Sequence, residues 1–319
     1  MSVKTKLTFA YVALALIWGS SFLFMKVALE GVSPTQVVLG RLGIGAVTLV
    51  ILMLVTRRRW PREARVWGHL TVVALFLCVF PFLLFAWAGL HLPSGVSSIL
   101  NAMTPIMTVL VSAVALPSER LDRSRLAGIA LGVVGVAVVA GIWNVLADPA
   151  LLTQVPALLA CLGATLCYGI GLTYIRRFLV GTHNYDALTI SAVQIVIGAV
   201  MIGLATPIIG ASPVNLTPAV VLSLVALGAL GTGIAYIWNV QIVTEWGPAV
   251  ASSVTYATPL VGVTLGVFIL GEHLSWNEPA GGVIVVLGIL LVQGRLRLGR
   301  RPHSVDAQRN STSGRPGAP

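Results

Sequence analysis

Carboxylates are scarce in this chain, and they are missing from the places where chemistry inside a membrane would need them. All ten Asp and Glu residues fall in loops, in the tail or at the ends of apolar runs, so paired intramembrane carboxylates are not available as general acid and base. The chain has no Gly-x-x-x-x-Gly-Lys-Ser/Thr loop, no His-Glu-x-x-His and no Gly-x-Ser-x-Gly. Direct ATP drive and the simplest zinc and serine hydrolase chemistries therefore have no residues to run on. Three cysteines, Cys78, Cys161 and Cys167, lie inside apolar runs without metal-ligand spacing and read as structural thiols. No catalytic residue, cofactor or metal is expected, and an enzyme is not the reading.

Charge of either sign is rare. Only 9% of residues are charged against 57% hydrophobic, and mean hydropathy is +0.94, whereas soluble domains carry about a quarter charged residues. A bilayer core asks for roughly 20 apolar residues per helix. Residues 7–25, 66–90, 94–116, 126–147, 154–175, 187–206, 218–244 and 246–270 contain no Lys, Arg, Asp or Glu. Residues 34–56, with Arg41, and 276–294, with Glu278 near one end, complete a set of ten spans. Turn chemistry at His91-Leu92-Pro93-Ser94-Gly95 and between Pro207 and Pro218 separates neighbours that would otherwise merge. No small-residue cleavage pattern follows the first run, so it is expected to remain as helix 1.

The net charge of +10 does not point to nucleic acid, because of where it sits. Lys4 and Lys6 precede helix 1, Arg57, Arg58, Arg59, Arg62 and Arg65 join helices 2 and 3, and Arg120, Arg123 and Arg125 join helices 4 and 5. Arg176 and Arg177 follow helix 6, and Arg295, Arg297, Arg300, Arg301, Arg309 and Arg315 follow helix 10. Only Lys26 and Arg41 remain, both inside spans. With every loop cation on one side, the positive-inside rule puts both termini in the cytoplasm.

The two halves echo each other. Val96, Ser98, Thr104, Pro105, Glu119, Leu121, Gly128 and Gly135 recur as Val250, Ser252, Thr258, Pro259, Glu272, Leu274, Gly281 and Gly288. Each half holds five spans, and five is odd. The second copy must then enter the membrane upside down, the architecture of many alternating-access transporters. The expected fold is an all-α integral membrane protein, ten transmembrane helices as two inverted five-helix repeats over 1–148 and 149–296. A polar, Ser-, Gly- and Pro-rich cytoplasmic tail, 297–319, is expected to be disordered.

These segments resemble the EamA-type transporters of the drug/metabolite transporter superfamily across roughly residues 7–296. The motifs are Ile17-Trp18-Gly19-Ser20-Ser21 with Lys26, Arg41, Ser98 through Pro105, and Glu119-Arg120-Leu121. In the second half they are Tyr168-Gly169, Arg176, Ala251-Ser252-Ser253 through Pro259, and Gly271-Glu272-His273-Leu274. The resemblance implies a secondary transporter in the cytoplasmic membrane that moves small metabolites, amino acids or related compounds, with export the usual direction. Helix 1 departs from the related four-helix multidrug transporters in lacking a carboxylate, so their cation/proton exchange is not carried over. The expected partners are a small-molecule substrate and the lipid bilayer, with no nucleic acid and a monomer as the unit. A non-transporting scaffold or receptor would explain the hydrophobicity but not the duplication; a channel would conduct without saturating.

Candidate pathway residues follow. Pro105 and Pro259 each free a carbonyl four residues back, those of Asn101 and Thr255, and freed carbonyls in a membrane belong against protein or a wet cavity. Ser98, Asn101 and Pro105 share one helical face, as do Ser252, Tyr256 and Pro259. Helix 8 offers two faces, Tyr236 with Asn239 and Trp238 with Gln241, of which only one can line a cavity. Trp87, Tyr168, Tyr236 and Tyr256 suit apolar walls with polar tips. Trp18 and Ser21 enter through the helix 1 motif. Arg41 lies roughly 10 Å into its helix, where a charge costs about 2.5 to 3.5 kcal/mol. It should face the bundle, meet an anionic substrate group or snorkel outward, and Gln194 is its counterpart in the second half. Lys26 is expected to reach the outer interface.

Overall fold

The computed structural model describes residues 3–116, 121–143, 149–179, 185–210, 212–246 and 254–296. Glu119, Arg120, Ala251, Ser252, Ser253 and the tail from residue 297 lie outside the described residues. The described chain is helical, with no strand among those residues. We label the helices α1 (Val3–Ala28), α2 (Pro34–Val55), α3 (Ala64–Ala88), α4 (Ser94–Ala115), α5 (Arg123–Val139) and α6 (Val155–Phe178). These are followed by α7 (Ala187–Ile209), α8, α9 (Val254–Leu270) and α10 (Asn277–Val292). Helix α8 runs through Pro218–Val225, Ala226–Ile234 and Ala235–Trp246 without a break, carrying the helix past Glu245, where the sequence pattern ends the span. Among the described residues, seven helices are long and apolar enough to cross a membrane, α1 to α4 and α6 to α8, and α9 and α10 are shorter apolar helices. The outward surface is apolar: Val114 is 91% exposed, Ile208 84% and Phe268 83%, which suits hydrocarbon and not water.

Helix starts follow local chemistry. Ser33 and Gln36 form a reciprocal capping box ahead of Pro34. Asp122, Asp186 and Thr217 each accept the backbone N–H three residues on, at 2.8, 3.0 and 3.3 Å. Lys26 meets the turn that joins α3 to α4. Its Nζ donates to the carbonyls of Gly89 and Leu92 at 2.7 and 2.9 Å, placing a cation on the carbonyl end of α3.

Two helices contain a π-helical segment, Leu75–Val79 in α3 and Ala226–Ile234 in α8, at equivalent places in the two halves. A π turn leaves backbone carbonyls without their usual donors, and such turns cluster at functional sites. In α3 the segment runs into Pro81, which has no N–H to give. In α8 the hydroxyl of Thr232 donates to the Leu227 carbonyl at 3.0 Å, inside the π segment.

The repeated glycines meet crosswise between α5 and α10. A Cβ on Gly128 would stand 2.6 Å from the Gly288 carbonyl oxygen, and one on Gly281 would stand 2.6 Å from that of Gly135. Backbones in this pair therefore touch with nothing between them, the close approach that small residues allow within membranes. Their order, Gly128 to Gly288 and Gly135 to Gly281, makes α5 and α10 antiparallel.

Candidate functional site

Between the two halves lies a cavity of about 410 Å³ lined by α1, α2, α3, α4, α6, α7, α8 and α9. Of the sixteen residues expected along a pathway, nine line it: Trp18, Ser21, Arg41, Asn101, Tyr168, Gln194, Tyr236, Asn239 and Thr255. Tyr236 and Asn239 are thus the cavity face of α8. Trp238, on the other face, packs its ring edge against Phe9 at 6.1 Å.

Arg41 is turned into the bundle. Its Nε donates to the Thr232 hydroxyl at 3.2 Å, and its guanidinium carbon sits 3.8 Å from the centroid of the Phe82 ring, a cation–π contact that offsets part of the cost of leaving water. The ion pair found among the described residues, Arg58 with Asp186, does not involve it. Thr232 in turn lies against Gly45, where a Cβ would stand 2.9 Å from its Cγ2, so a small residue on α2 lets the hydroxyl come within reach. Trp18 donates its indole N–H to the Gly231 carbonyl at 3.3 Å, in the same π segment. Gln194 lies against the Cys78 thiol, 3.7 Å from its sulfur.

Six expected residues stand outside the lining. Pro105 and Pro259 free the carbonyls of Asn101 and Thr255, yet neither carbonyl is left to a wet cavity. Thr104 and Thr258, each directly before its proline, donate their hydroxyls to those carbonyls at 2.7 and 2.9 Å. The threonines, not the prolines, line the cavity. Ser98 is fully buried and donates to the Thr258 carbonyl at 2.9 Å, tying α4 to α9. Trp87 is 39% exposed and packs on His91 at 4.8 Å. Tyr256 donates to Gln293 on the α10 side, with Arg295 over its ring. The remaining expected residue, Ser252, is among those not described.

The apolar wall is what the sequence reading did not name: Phe22, Met25, Leu77, Phe82, Phe85, Leu172, Ile175 and Ile190. In a chain apolar on every helix face, hydrophobic periodicity does not separate lipid-facing from cavity-facing positions. Thr104 and Thr258 carried a signal, since both belong to the duplicated stretch.

The carboxylate of Glu272 also takes an unexpected place. In sequence it lies just ahead of α10, where a carboxylate could cap that helix. Instead it accepts from the backbone N–H groups of Ser94 and Gly95 at 2.7 and 3.3 Å and from the Ser94 hydroxyl at 2.9 Å, capping α4 of the other half.

Residues 6–141 and 155–293 each match the model of the EamA-like transporter family. A probable terminal-alkyne amino-acid exporter of Streptantibioticus cattleyicolor is 27% identical over 301 residues, 93% of this chain and 96% of its own length. The inner membrane transporter YedA of Escherichia coli strain K12 is 24% identical over 298 residues, 92% of each chain. A solved crystal structure 21% identical in sequence superposes with a TM-score of 0.62, covering 91% of this chain and 97% of the other, and it shares the fold. The chain belongs to the EamA-like transporter family, within the drug/metabolite transporter superfamily, and is a multi-pass membrane transporter.

Proposed function

We propose that this transporter moves small metabolites, amino acids or related compounds, out across the cytoplasmic membrane by alternating access. In this reading ten transmembrane helices form two inverted five-helix repeats, 1–148 and 149–296, with both termini cytoplasmic. The observation that carries the reading is the cavity between the halves, walled by both and holding Arg41 on its first-half side with Gln194 opposite in sequence.

Other features support it. Helices one repeat apart exchange partners: α1 packs on α9 as α6 packs on α4, while α2 pairs with α7 and α5 with α10. The antiparallel crossing of Gly128 and Gly135 with Gly288 and Gly281 is what inversion requires of equivalent helices. The one-sided placement of loop cations agrees with cytoplasmic termini. Substrate contact falls to Arg41, Asn101, Tyr168, Gln194, Tyr236 and Asn239. Ser98, Pro105 and Pro259 shape the α4 and α9 helices behind them. A cargo of amino-acid type, or one derived from an amino acid, is supported by the name of the relative from Streptantibioticus cattleyicolor and by the mix of one cation, amides and aromatic tips at the site.

The test is counterflow in vesicles containing the purified protein, against a labelled amino-acid and amino-acid-derivative panel. A carrier accelerates exchange and saturates with concentration. Exchange no faster than in empty vesicles, or flux that rises without limit, would overturn the reading.

A further inference from the structure

Building on that reading, we infer that the cavity selects a monoanion: an apolar small molecule with one carboxylate and no free amine, such as an N-acylated amino acid or an aryl alkanoate. Among the described residues, the lining contains one fixed cation, the Arg41 guanidinium, and neither Asp nor Glu. The described carboxylates nearest in role are engaged elsewhere, Glu272 as the cap of α4 and Asp186 with Arg58. A ligand carboxylate therefore restores neutrality inside the bundle. A ligand ammonium would bring a second cation into the same low-dielectric space with no counter-charge to meet it.

The geometry of Arg41 favours the same class. Thr232 engages Nε and Phe82 covers one face of the guanidinium, so the planar pair of terminal nitrogens is the part left to present to two oxygens of a carboxylate. Neutral amide and hydroxyl groups at the lining, Asn101, Ser191 and Asn239, suit an amide or hydroxyl on the cargo. Phe22, Phe85 and Ile175 supply an apolar wall for its body. Ligand pockets commonly span about 300 to 1,000 Å³, and this cavity lies toward the small end of that range.

The drive follows from the charge. A monoanion leaving a cell moves down the inside-negative potential, which at 100 mV supports about a 50-fold outward gradient. No proton-carrying carboxylate in the cavity is then needed for export.

The experiment uses four matched probes, 3-phenylpropionate, N-acetylphenylalanine, phenylalanine and phenethylamine, and two readouts. Thermal shift of the detergent-purified protein reads binding, and transport is read as counterflow and as net efflux from preloaded vesicles under a valinomycin-imposed potassium potential. The two anions should bind and exchange at least about tenfold better than phenylalanine, and phenethylamine should do neither. A potential negative on the cargo side should speed anion efflux. Arg41→Gln should abolish the preference among the probes, and Arg41→Lys, which keeps the charge, should retain it at lower affinity. Phenylalanine or phenethylamine handled as well as the anions, or net anion efflux indifferent to potential, overturns the inference while leaving a carrier in place. Anion-selective binding without flux overturns the transport reading and leaves the selection standing.

Discussion

Glu272 closes the start of α4 from the other half of the molecule, accepting the Ser94 N–H at 2.7 Å and the Ser94 hydroxyl at 2.9 Å. A carboxylate there meets free N–H groups and the positive end of the helix together. Glu272→Ala should cost about 1 to 2 kcal/mol, and Glu272→Gln should cost less, since one oxygen acceptor survives. Thermal unfolding in a mild detergent reads both. An unchanged midpoint in Glu272→Ala would remove the carboxylate from the list of ties between the halves.

The α5–α10 contact makes a sharper steric prediction. Gly128→Ala places a Cβ 2.6 Å from a backbone oxygen of α10, which cannot turn aside as a side chain can, and should cost about 1 to 3 kcal/mol. Gly68→Ala in α3 meets nothing within 4 Å and should gain about 0.5 to 1 kcal/mol from better helix propensity. The two substitutions are chemically identical, so opposite shifts in melting temperature isolate packing as the cause.

Thr232 serves two masters, accepting from Arg41 and donating to the Leu227 carbonyl. Thr232→Val keeps the shape and strands both partners, and a buried polar group left unpaired costs about 1 to 3 kcal/mol. Guanidinium placement should loosen, raising KM for exchanged solute about tenfold, and Thr232→Ser should restore most of it. Equal KM values in the valine and wild-type proteins would make the contact dispensable.

Where the basic loops gather, two ties cross between the halves: Arg58 to Asp186 at 3.1 Å and the Tyr185 hydroxyl to the Glu63 carboxylate. The Tyr185 hydrogen bond holds the Glu63 carboxyl below its ordinary range, and the carboxylate holds the Tyr185 phenol above its own. A lowered acid contributes above its unfolded pKa, about 4.3 for Glu, and fades as pH falls through the folded value. A raised phenol contributes below its unfolded pKa, about 10, and fades as pH rises through its folded value. The stability gap between wild type and Tyr185→Phe should therefore be flat between those limits and close at both ends. The effect should be small, since both groups are exposed to solvent. A gap independent of pH would show that ring packing, not the hydrogen bond, is lost.

Much of the architecture was legible from residues alone because a bilayer imposes blunt rules. Length and apolarity placed the helices, and the helix ends fell within a few residues at α2, α4 and α7, where Ser33, Pro93 and Asp186 punctuate the chain. Nine cavity residues were nameable because a polar group within an apolar run has few places to go. The placement of Pro105 and Pro259 was not legible, since a threonine hydroxyl one residue earlier satisfies the freed carbonyl and releases the proline from the cavity. The role of Glu272 was not legible for a related reason: sequence neighbours suggest local caps, and this carboxylate caps a helix of the other half.

By itself, then, the order of amino acids determined a membrane-embedded helical chain with a doubled motif and one cation in an unlikely place, because water, hydrocarbon and backbone hydrogen bonding act on each segment separately. Which face of α8 looks inward, what Arg41 leans on and which aromatic and aliphatic walls enclose the cavity were decided only by tertiary packing. Those contacts join residues as distant as Arg41 and Thr232, 191 positions apart, and on helices apolar all round no local pattern marks the side that will meet a partner.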